Sequence, residues 1–351
     1  MTDSKKSLWH SRADEAQRSL YQVFWDHETG VMRQGLPADN PHNAEPIYWW
    51  HAHVMDVLAD GLVRTGDKGY EERLHRMLGA VKKYNGGTLH HYMYDDMEWM
   101  ALALLRAWDA TGEGVYKLAV LDLWEDIKTA WNDTMGGGMA WNKNRLYYKN
   151  TPANCPASIL ASRLYHRFGA EDDFRWAKRI YQWNKEVLVD PETGFVWDGI
   201  NRQEDGKIDK DWRYTYCQGV FIGAAVELYR NTGDRAYLGD AERTARASIK
   251  QFADPQTGIL PDEGDGDCGL FKGIYVRYLG ELLKVRDGLS DVRDLIMKNA
   301  ETLWDVGRDP CTGLFGRYWG NKPSPVLELS THLSGIMLIE MATVLPPKKN
   351  G

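Results

Sequence analysis

Two consecutive aspartates, Asp95 and Asp96, are the residues whose types and spacing are best suited to acid–base chemistry. They lie where a polar loop gives way to an apolar helix, with Tyr94 and Trp99 beside them. Enzymes that cleave glycosidic bonds use two carboxyl groups, roughly 5–5.5 Å apart in retaining enzymes and roughly 6.5–9.5 Å apart in inverting ones. Neighbouring residues reach the shorter separation more easily, so the pair favours a mechanism with retention.

The same dipeptide also has a purely structural explanation. Carboxylates in the first turn of a helix are stabilised by the helix dipole, and the pair Asp172–Asp173 is expected to play only that part. The pair Asp95–Asp96 differs because aromatic rings and the pair His90–His91 lie beside it. These neighbouring side chains would suit the recognition of sugar rings.

A recurring turn indicates how these side chains are positioned. Its copies follow one another at steps of about 50 to 65 residues, which suits one helical hairpin per step. The copies are WDHETGVM at 25–32, YNGGTLHH at 84–91, NDTMGGGM at 132–139, DPETGFVW at 190–197, DPQTGILP at 254–261 and DPCTGLFG at 309–316.

Shorter breaks such as RTGDKGY at 64–70 and NTGDRAY at 231–237 fall between these turns. In each, a glycine can end one helix and an acidic residue can begin the next. The segments between breaks show helical periodicity. They predict twelve helices, at 10–25, 47–64, 68–84, 96–110, 114–131, 153–167, 171–188, 214–231, 235–252, 270–285, 290–305 and 325–344.

Six hairpins can stack as an open superhelix or close into a ring. The connections favour the ring, because six long loops gathered at one end of a toroid would build a cleft. These loops are 26–46, 85–95, 133–152, 189–213, 253–269 and 306–324. We therefore predict an all-α fold, an (α/α)6 toroid with inner and outer helices, as a single catalytic domain over residues 1–351.

The segment YDDMEWMALALLRAWDATGE at 94–113 resembles the signature segment of glycoside hydrolase family 76, the endo-α-1,6-mannanase family. In that family a tyrosine and two consecutive aspartates precede an aromatic-rich inner helix. The likeness extends over most of the chain, through KNTPANCPASILASRLY at 149–165, DPETGFVWDGI at 190–200, YTYCQGVFIGAAVELYRNTGD at 214–234 and FKGIYVRYL at 271–279. It implies an (α/α)6 barrel that cleaves α-linked mannosides.

The resemblance also implies roles for individual residues. Asp95 would be the nucleophile that forms a glycosyl-enzyme intermediate, and Asp96 the acid/base that protonates the leaving oxygen and then activates water. The pair is better defined than the order of roles within it. Positions that match family segments, or lie beside them, are expected to bind substrate: Tyr94, Trp99, Trp50, His53, Asn154, Asp198, Tyr216 and Gln218.

Two positions depart from the family pattern, which usually has glycine where this chain has Glu98 and asparagine where it has Cys217. Glu98 is expected on the exposed face of its helix, where it would narrow the cleft or perturb the aspartates. Because of Glu98, the sequence leaves open whether the chain cleaves bonds inside a polymer. Two alternative functions also stay open: a sugar epimerase that uses the His90–His91 pair, and a non-catalytic carbohydrate-binding scaffold.

Composition excludes several other classes of protein. A formal net charge of -7 argues against a nucleic-acid partner, and no segment is long and apolar enough to predict a membrane span. The acidic loop 261–269 lacks the spacing of an EF-hand, so neither a metal site nor an obligatory cofactor is predicted. Four well-separated cysteines and the lack of a secretory signal at the start suggest a cytoplasmic protein with an oligosaccharide or polysaccharide substrate.

Overall fold

The computed structural model describes residues 3–345 of the chain, so both ends of the predicted domain, 1–2 and 346–351, lie outside the described residues. None of the helices in this range is long and apolar enough to cross a membrane. The helices are α1 (Asp3–Phe24), α2 (Tyr48–Thr65), α3 (Lys68–Tyr84), α4 (Tyr94–Thr111), α5 (Gly114–Lys128), α6 (Thr151–Phe168), α7 (Glu171–Leu188), α8 (Thr215–Thr232), α9 (Arg235–Phe252), α10 (Cys268–Val285), α11 (Ser290–Thr302) and α12 (Leu329–Val344).

The even-numbered helices form an inner ring that is buried on nearly all sides. Each inner helix packs against the next, and α12 packs against α2, so the ring is closed. The odd-numbered helices surround it with one amphipathic face inward, as the polar outer faces of α7 and α9 illustrate. The predicted (α/α)6 toroid is therefore confirmed, and the open superhelix is not the fold.

Short connectors lie at one end of the ring and long loops at the other. Gly66, Gly112, Gly169 and Gly233 end inner helices in the left-handed conformation, with φ between 69° and 73°. Every inner helix follows a long loop, so the N-terminal ends of all six inner helices face the loop end. Backbone N–H groups and positive dipole ends thus converge where the long loops gather.

In four of its copies the recurring turn is built by an aspartate. In the copy at 190–197, Asp190 accepts hydrogen bonds from the backbone N–H groups of Glu192 and Thr193, and Gly194 takes a φ of 80°. A buried polar side chain of the following inner helix then holds the residue after the turn. These pairs are His51 with Met32, Asn154 with Met139, Gln218 with Val196 and His332 with Phe315.

Short strands inside the long loops were not predicted. They are β1 (Gly35–Leu36), β2 (Ala140–Asn142), β3 (Arg145–Asn150), β4 (Gly199–Ile200) and β5 (Leu327–Glu328). β1 pairs with β5, and β2, β3 and β4 form an antiparallel sheet in that order. The sheet ties loop 129–150 to loop 189–214 and stiffens one wall of the loop end. Pairing of β5 also explains why α12 begins at residue 329 and not at 325.

Close helix packing around Gly219 gives a test of the ring. A Cβ atom at Gly219 would lie 2.7 Å from the Cα of Tyr275 in α10, so Gly219→Ala should destabilise the protein by about 1–3 kcal/mol despite the better helix propensity of alanine. Gly239 in α9 has open space around its Cβ position, and Gly239→Ala should stabilise it by about 0.5–1 kcal/mol. Denaturant unfolding measures both; equal effects of the two substitutions would contradict the observed α8–α10 contact.

Candidate active site

The aspartate pair lies in the first turn of α4, and both side chains line a cavity of about 240 Å³ at the loop end of the ring. Polar side chains form one wall of the cavity, around Asp198, and aromatic rings form most of the remaining lining. Its lining residues are Trp49, Met93, Asp95, Asp96, Trp99, Trp141, Tyr148, Asn150, Pro152, Asp198, Arg202, Trp212, Tyr214, Tyr216, Asp267, Cys268 and Phe271.

Asp95 is held by donors that favour its charged form. Its Oδ2 accepts the Nε1–H of Trp141 at 2.9 Å, and its Oδ1 accepts the backbone N–H of Asp96 at 3.0 Å. Burial raises the pKa of Asp95 to about 7, and these two donors oppose the rise. A substantial fraction of Asp95 is therefore ionised near neutral pH, as a nucleophile requires.

Asp96 has a different environment. Among residues 3–345, the basic group close to it is the Nδ1 of His91, 3.5 Å from Oδ2. Burial raises the pKa of Asp96 well above the ordinary value, and the negative charges of Asp95 and Asp267 add to the rise. The His91 ring stacks on Tyr48. The pKa of His91 is lowered, mainly by burial, so His91 supplies little positive charge to Asp96. Asp96 therefore holds its proton, as a general acid requires.

Asp198 organises the polar wall. Its Oδ2 accepts hydrogen bonds from the hydroxyl of Tyr148 at 3.0 Å and from the guanidinium of Arg202 at 2.7 Å. Its Oδ1 lies 3.4 Å from the hydroxyl of Tyr216. The Arg202 guanidinium also stacks on the ring of Trp212, 3.6 Å from its centroid. This wall offers fixed donors and acceptors to sugar hydroxyls.

Aromatic rings form the remaining walls. Tyr216 lies parallel to Phe271 with ring centroids 3.8 Å apart, and Trp49 and Trp99 meet at 6.4 Å. Flat apolar faces with polar edges suit the C–H faces of pyranose rings. Of the residues predicted to bind substrate, Trp99, Asp198 and Tyr216 thus line the cavity together with the aspartate pair.

Asn154 and Gln218 are fully buried and lie behind the cavity wall. Asn154 exchanges hydrogen bonds with the backbone of Met139, and Gln218 does the same with Val196. The substrate-binding role predicted for them is therefore corrected to a structural one: they hold the recurring turn against the inner helix. Their amides are already satisfied and leave no donor for a sugar.

Tyr94, Trp50 and His53 also lie outside the cavity wall. The Tyr94 hydroxyl hydrogen-bonds with that of Thr129 at 3.0 Å, and the Trp50 indole donates to Asp267. His53 lies under the floor, beside Trp99, with its pKa lowered to about 3 mainly by burial. Direct substrate contact predicted for these three residues is not supported by their positions.

Glu98 is fully buried, which contradicts the expectation of an exposed position. Neither carboxyl oxygen has a hydrogen-bond partner among the described residues, although the backbone of Ala157 is close enough to influence it. Burial, with Asp95 adding to it, raises the pKa of Glu98 well above its ordinary value. Glu98 therefore does not narrow the cleft; it is a protonated acid in the wall between α4 and α6.

Other candidate sites have structural explanations. His90 turns away from the cavity and pairs with Asp122 at 2.8 Å and Asp126 at 2.7 Å, so the His90–His91 pair is not a joint epimerase base. In the acidic loop, Asp262 and Asp265 pair with Arg317. Within residues 3–345 no group of three or more His, Cys, Asp or Glu side chains is arranged to hold a metal ion.

A larger cavity of about 760 Å³ lies at the opposite end of the ring. Its charged residues are paired across helices: Arg277 with Asp56 at 2.9 Å and Asp60 at 2.6 Å, and Arg64 with Glu340 at 2.9 Å. His53 and Trp99 separate it from the aspartates. We assign the chemistry to the smaller cavity, because these ion pairs already satisfy the charges of the larger one.

Comparison with known proteins gives a consistent result. Residues 8–344 match the sequence profile described as glycosyl hydrolase family 76. The mannan endo-1,6-alpha-mannosidase DCW1 of Candida glabrata is 26% identical over 304 residues, which cover 77% of this chain and 65% of that protein. Its counterpart from Saccharomyces cerevisiae is 26% identical over 297 residues with the same coverage. The chain thus spans just under two thirds of the length of these curated relatives.

Solved structures are more similar still. The GH76A α-1,6-mannanase from Salegentibacter sp. HEL1_6 is 40% identical, with a TM-score of 0.89 over 96% of this chain and 100% of that one. An inactive variant of that enzyme, in which two consecutive aspartates are replaced by asparagine, was solved with α-1,6-mannotriose; it is 39% identical with the same TM-score and coverage.

Proposed function

This chain belongs to glycosyl hydrolase family 76, and we propose that it is a retaining glycoside hydrolase that cleaves α-1,6-linked mannan or manno-oligosaccharides. The observation that carries the proposal is the unequal environment of Asp95 and Asp96. The Asp95 carboxyl group accepts two N–H donors, whereas the largely buried Asp96 has no such donor in residues 3–345 and holds a proton. Two carboxyl groups in opposite protonation states are what a double displacement needs.

In the first step, the ionised Asp95 attacks the anomeric carbon of the sugar. The glycosidic C–O bond breaks, and Asp96 gives its proton to the departing oxygen, so the leaving sugar departs as a neutral alcohol. The product on the enzyme is an ester between Asp95 and the sugar. Trp141 donates its indole N–H to Asp95, which favours the ionised carboxylate before the attack and again when it leaves in the second step.

In the second step, Asp96 is ionised and accepts a proton from a water molecule that attacks the anomeric carbon. The ester bond to Asp95 breaks, and the carboxylate of Asp95 leaves with the bonding electrons. Two inversions at the same carbon restore the α configuration. Both aspartates return to their starting protonation states, which completes the cycle.

The proposed substrate is inferred from the relatives. The structural relative is an α-1,6-mannanase that was solved with α-1,6-mannotriose and, in a further variant, with α-1,6-mannotetrose. We expect the present cavity, with its aromatic faces and the Asp198 wall, to accept the same linkage. The family match together with the buried pair of carboxyl groups favours hydrolysis over the epimerase and scaffold alternatives.

The test is to incubate the protein with α-1,2-, α-1,3- and α-1,6-linked mannotetraoses and to follow the products by proton NMR. We expect cleavage of the α-1,6 isomer, with the reducing end newly formed at the cleaved bond appearing first as the α anomer, before mutarotation. An initial β anomer would contradict the retaining mechanism. Binding of all isomers without cleavage would overturn the enzymatic function, and a change of sugar identity would indicate an epimerase.

A further inference from the structure

Asp267 faces the aspartate pair from the far side of the cavity, at the start of α10. Aspartate is common at this position because its side chain can accept hydrogen bonds from the first N–H groups of the helix. Here the side chain makes no capping hydrogen bond to α10. Its position is therefore not explained by helix initiation.

Two tryptophans of α2 hold the Asp267 carboxylate instead. Its Oδ1 accepts the Nε1–H of Trp49 at 2.8 Å and that of Trp50 at 2.9 Å. Both donors use the same oxygen, and no hydrogen bond to Oδ2 is formed within the described part of the chain. Because α12 lies between α2 and α10 in the inner ring, this contact joins two helices that are not neighbours in the ring, and it restrains the orientation of the carboxylate.

The carboxylate is therefore oriented through one oxygen, which leaves the second without a partner among the described residues. Asp267 belongs to the exposed residues of the chain, and the ring of Trp49 lines the same cavity beside it. An ionised carboxylate is an acceptor only, and sugar hydroxyls are donors. A pyranose that rests on Trp49 would place hydroxyl groups next to a carboxylate oxygen that is rigidly held and free to accept.

Asp267 also acts on the aspartate pair through its charge. It adds to the rise in the pKa of both Asp95 and Asp96. Other titratable groups close to the pair are His91, Tyr48, Tyr216 and Glu98. Further titratable residues line the same cavity: Tyr148, Asp198, Arg202, Tyr214 and Cys268. Removal of this negative charge should therefore lower both pKa values, while the removal of a remote surface charge should not.

We propose that Asp267 is a substrate-binding residue of this site, whose Oδ2 accepts a hydroxyl hydrogen bond from the bound mannoside while the indoles of Trp49 and Trp50 hold the carboxylate in place. The inference rests on the proposed function and adds a residue to it. Trp50 is almost completely buried and does not line the cavity, so it acts as a positioning residue through Asp267.

The experiment compares Asp267→Asn with Asp265→Asn, which removes the same charge from the same loop. Asp265 pairs with Arg317 and does not line the cavity. On α-1,6-mannotriose, Asp267→Asn should raise KM by about tenfold with a much smaller change in kcat, because a charge-assisted hydrogen bond is replaced by a neutral one. Both limbs of its pH–rate profile should move to lower pH. Asp265→Asn should keep KM within about twofold.

Trp50→Phe provides the positioning test, because it removes one N–H donor and leaves every cavity-lining side chain in place. We expect a smaller rise in KM, and we expect the double variant with Asp267→Asn to be no worse than Asp267→Asn alone. Additive effects of the two substitutions would contradict transmission through Asp267. An unchanged KM and an unmoved pH profile in Asp267→Asn, with circular dichroism intact, would overturn the proposal.

Binding separates failure of this proposal from failure of the proposed function. In the Asp95→Asn/Asp96→Asn background, calorimetry of α-1,6-mannotriose needs no turnover. Adding Asp267→Asn to that background should weaken the affinity by about tenfold. If the native chain hydrolyses no mannoside yet this loss is observed, the proposed function fails and the Asp267 site stands; if hydrolysis is observed without this loss, the Asp267 site fails.

Discussion

Asp95→Asn and Asp96→Asn are each expected to lower kcat for α-1,6-mannotriose by at least about 10²-fold while leaving the helical fold intact. Asparagine has nearly the same shape as aspartate but can neither form the ester nor exchange the proton. General acid–base catalysis alone contributes about 10²–10⁴-fold, and loss of a nucleophile removes the covalent route altogether. Steady-state kinetics measure the loss of kcat, and circular dichroism measures whether the helical fold is kept.

The matched control for this prediction is Asp172→Asn. Asp172–Asp173 is the same dipeptide in the first turn of a helix, but Asp172 is exposed and pairs with Arg175 three residues later in α7. Its replacement should leave kcat within about twofold, since such exposed pairs contribute little. Comparable losses of activity in Asp172→Asn and Asp96→Asn would show that the effect is structural and not catalytic.

Azide distinguishes the roles of the two aspartates. With a dinitrophenyl α-mannoside, whose leaving group needs no proton, Asp96→Asn should still form the glycosyl enzyme, and azide should release α-mannosyl azide. Asp95→Asn lacks the nucleophile, so azide should attack directly and give β-mannosyl azide. The unequal hydrogen bonding of the pair supports this order. If Asp96→Asn gave the β azide and Asp95→Asn the α azide, the two roles would be reversed.

The sequence predicted the ring because its signals are local. A glycine such as Gly112 ends one helix within a few residues of the next, so the twelve helices and their short connectors can be located from neighbouring residues alone. The strands could not be located in this way. β4 has two residues and forms through its pairing with β3, about 50 residues earlier in the chain.

The candidate pair Asp95–Asp96 could be singled out from the sequence because its two members are adjacent in the chain. Asp267 could not, because its partners Trp49 and Trp50 lie 218 and 217 residues away. The available signal was the consecutive tryptophans at the start of α2, and it did not indicate which residue they contact. Tyr216 and Gln218 show a second limit: two residues apart on a helix they point in nearly opposite directions, so only Tyr216 reaches the cavity.

Glu98→Gln is expected to stabilise the protein at neutral pH, and the stabilisation should grow as the pH rises. The pKa of Glu98 is raised well above the ordinary value in the folded protein, chiefly by burial. The folded chain therefore binds a proton that the unfolded chain has released once the pH exceeds about 4.5. Between the pKa of Glu98 in the unfolded chain and its pKa in the folded protein, the wild-type protein loses about 1.4 kcal/mol of stability per pH unit through this group. Glu98→Gln has no proton to release at this position and loses none.

The measurement is urea unfolding of both proteins from pH 4 to pH 8. At pH 4 the two free energies of unfolding should agree within about 1 kcal/mol, because Glu98 is then protonated in both states. At pH 7 the variant should be more stable by up to about 3 kcal/mol. A difference that does not depend on pH would show that Glu98 has an ordinary pKa or an unseen cationic partner.

A paired carboxylate supplies a control of opposite sign. Glu281 lies 2.8 Å from Arg230 and 2.7 Å from Lys284, and these cations, opposing burial, lower its pKa to about 2. Its contribution to stability is present above the unfolded pKa and is lost as the pH falls towards 2. Glu281→Gln should therefore destabilise the protein at pH 7 and have little effect near pH 2. Because the same chemical change produces opposite signs at positions 98 and 281, the sign itself reports whether each carboxyl group is protonated or ionised in the folded toroid.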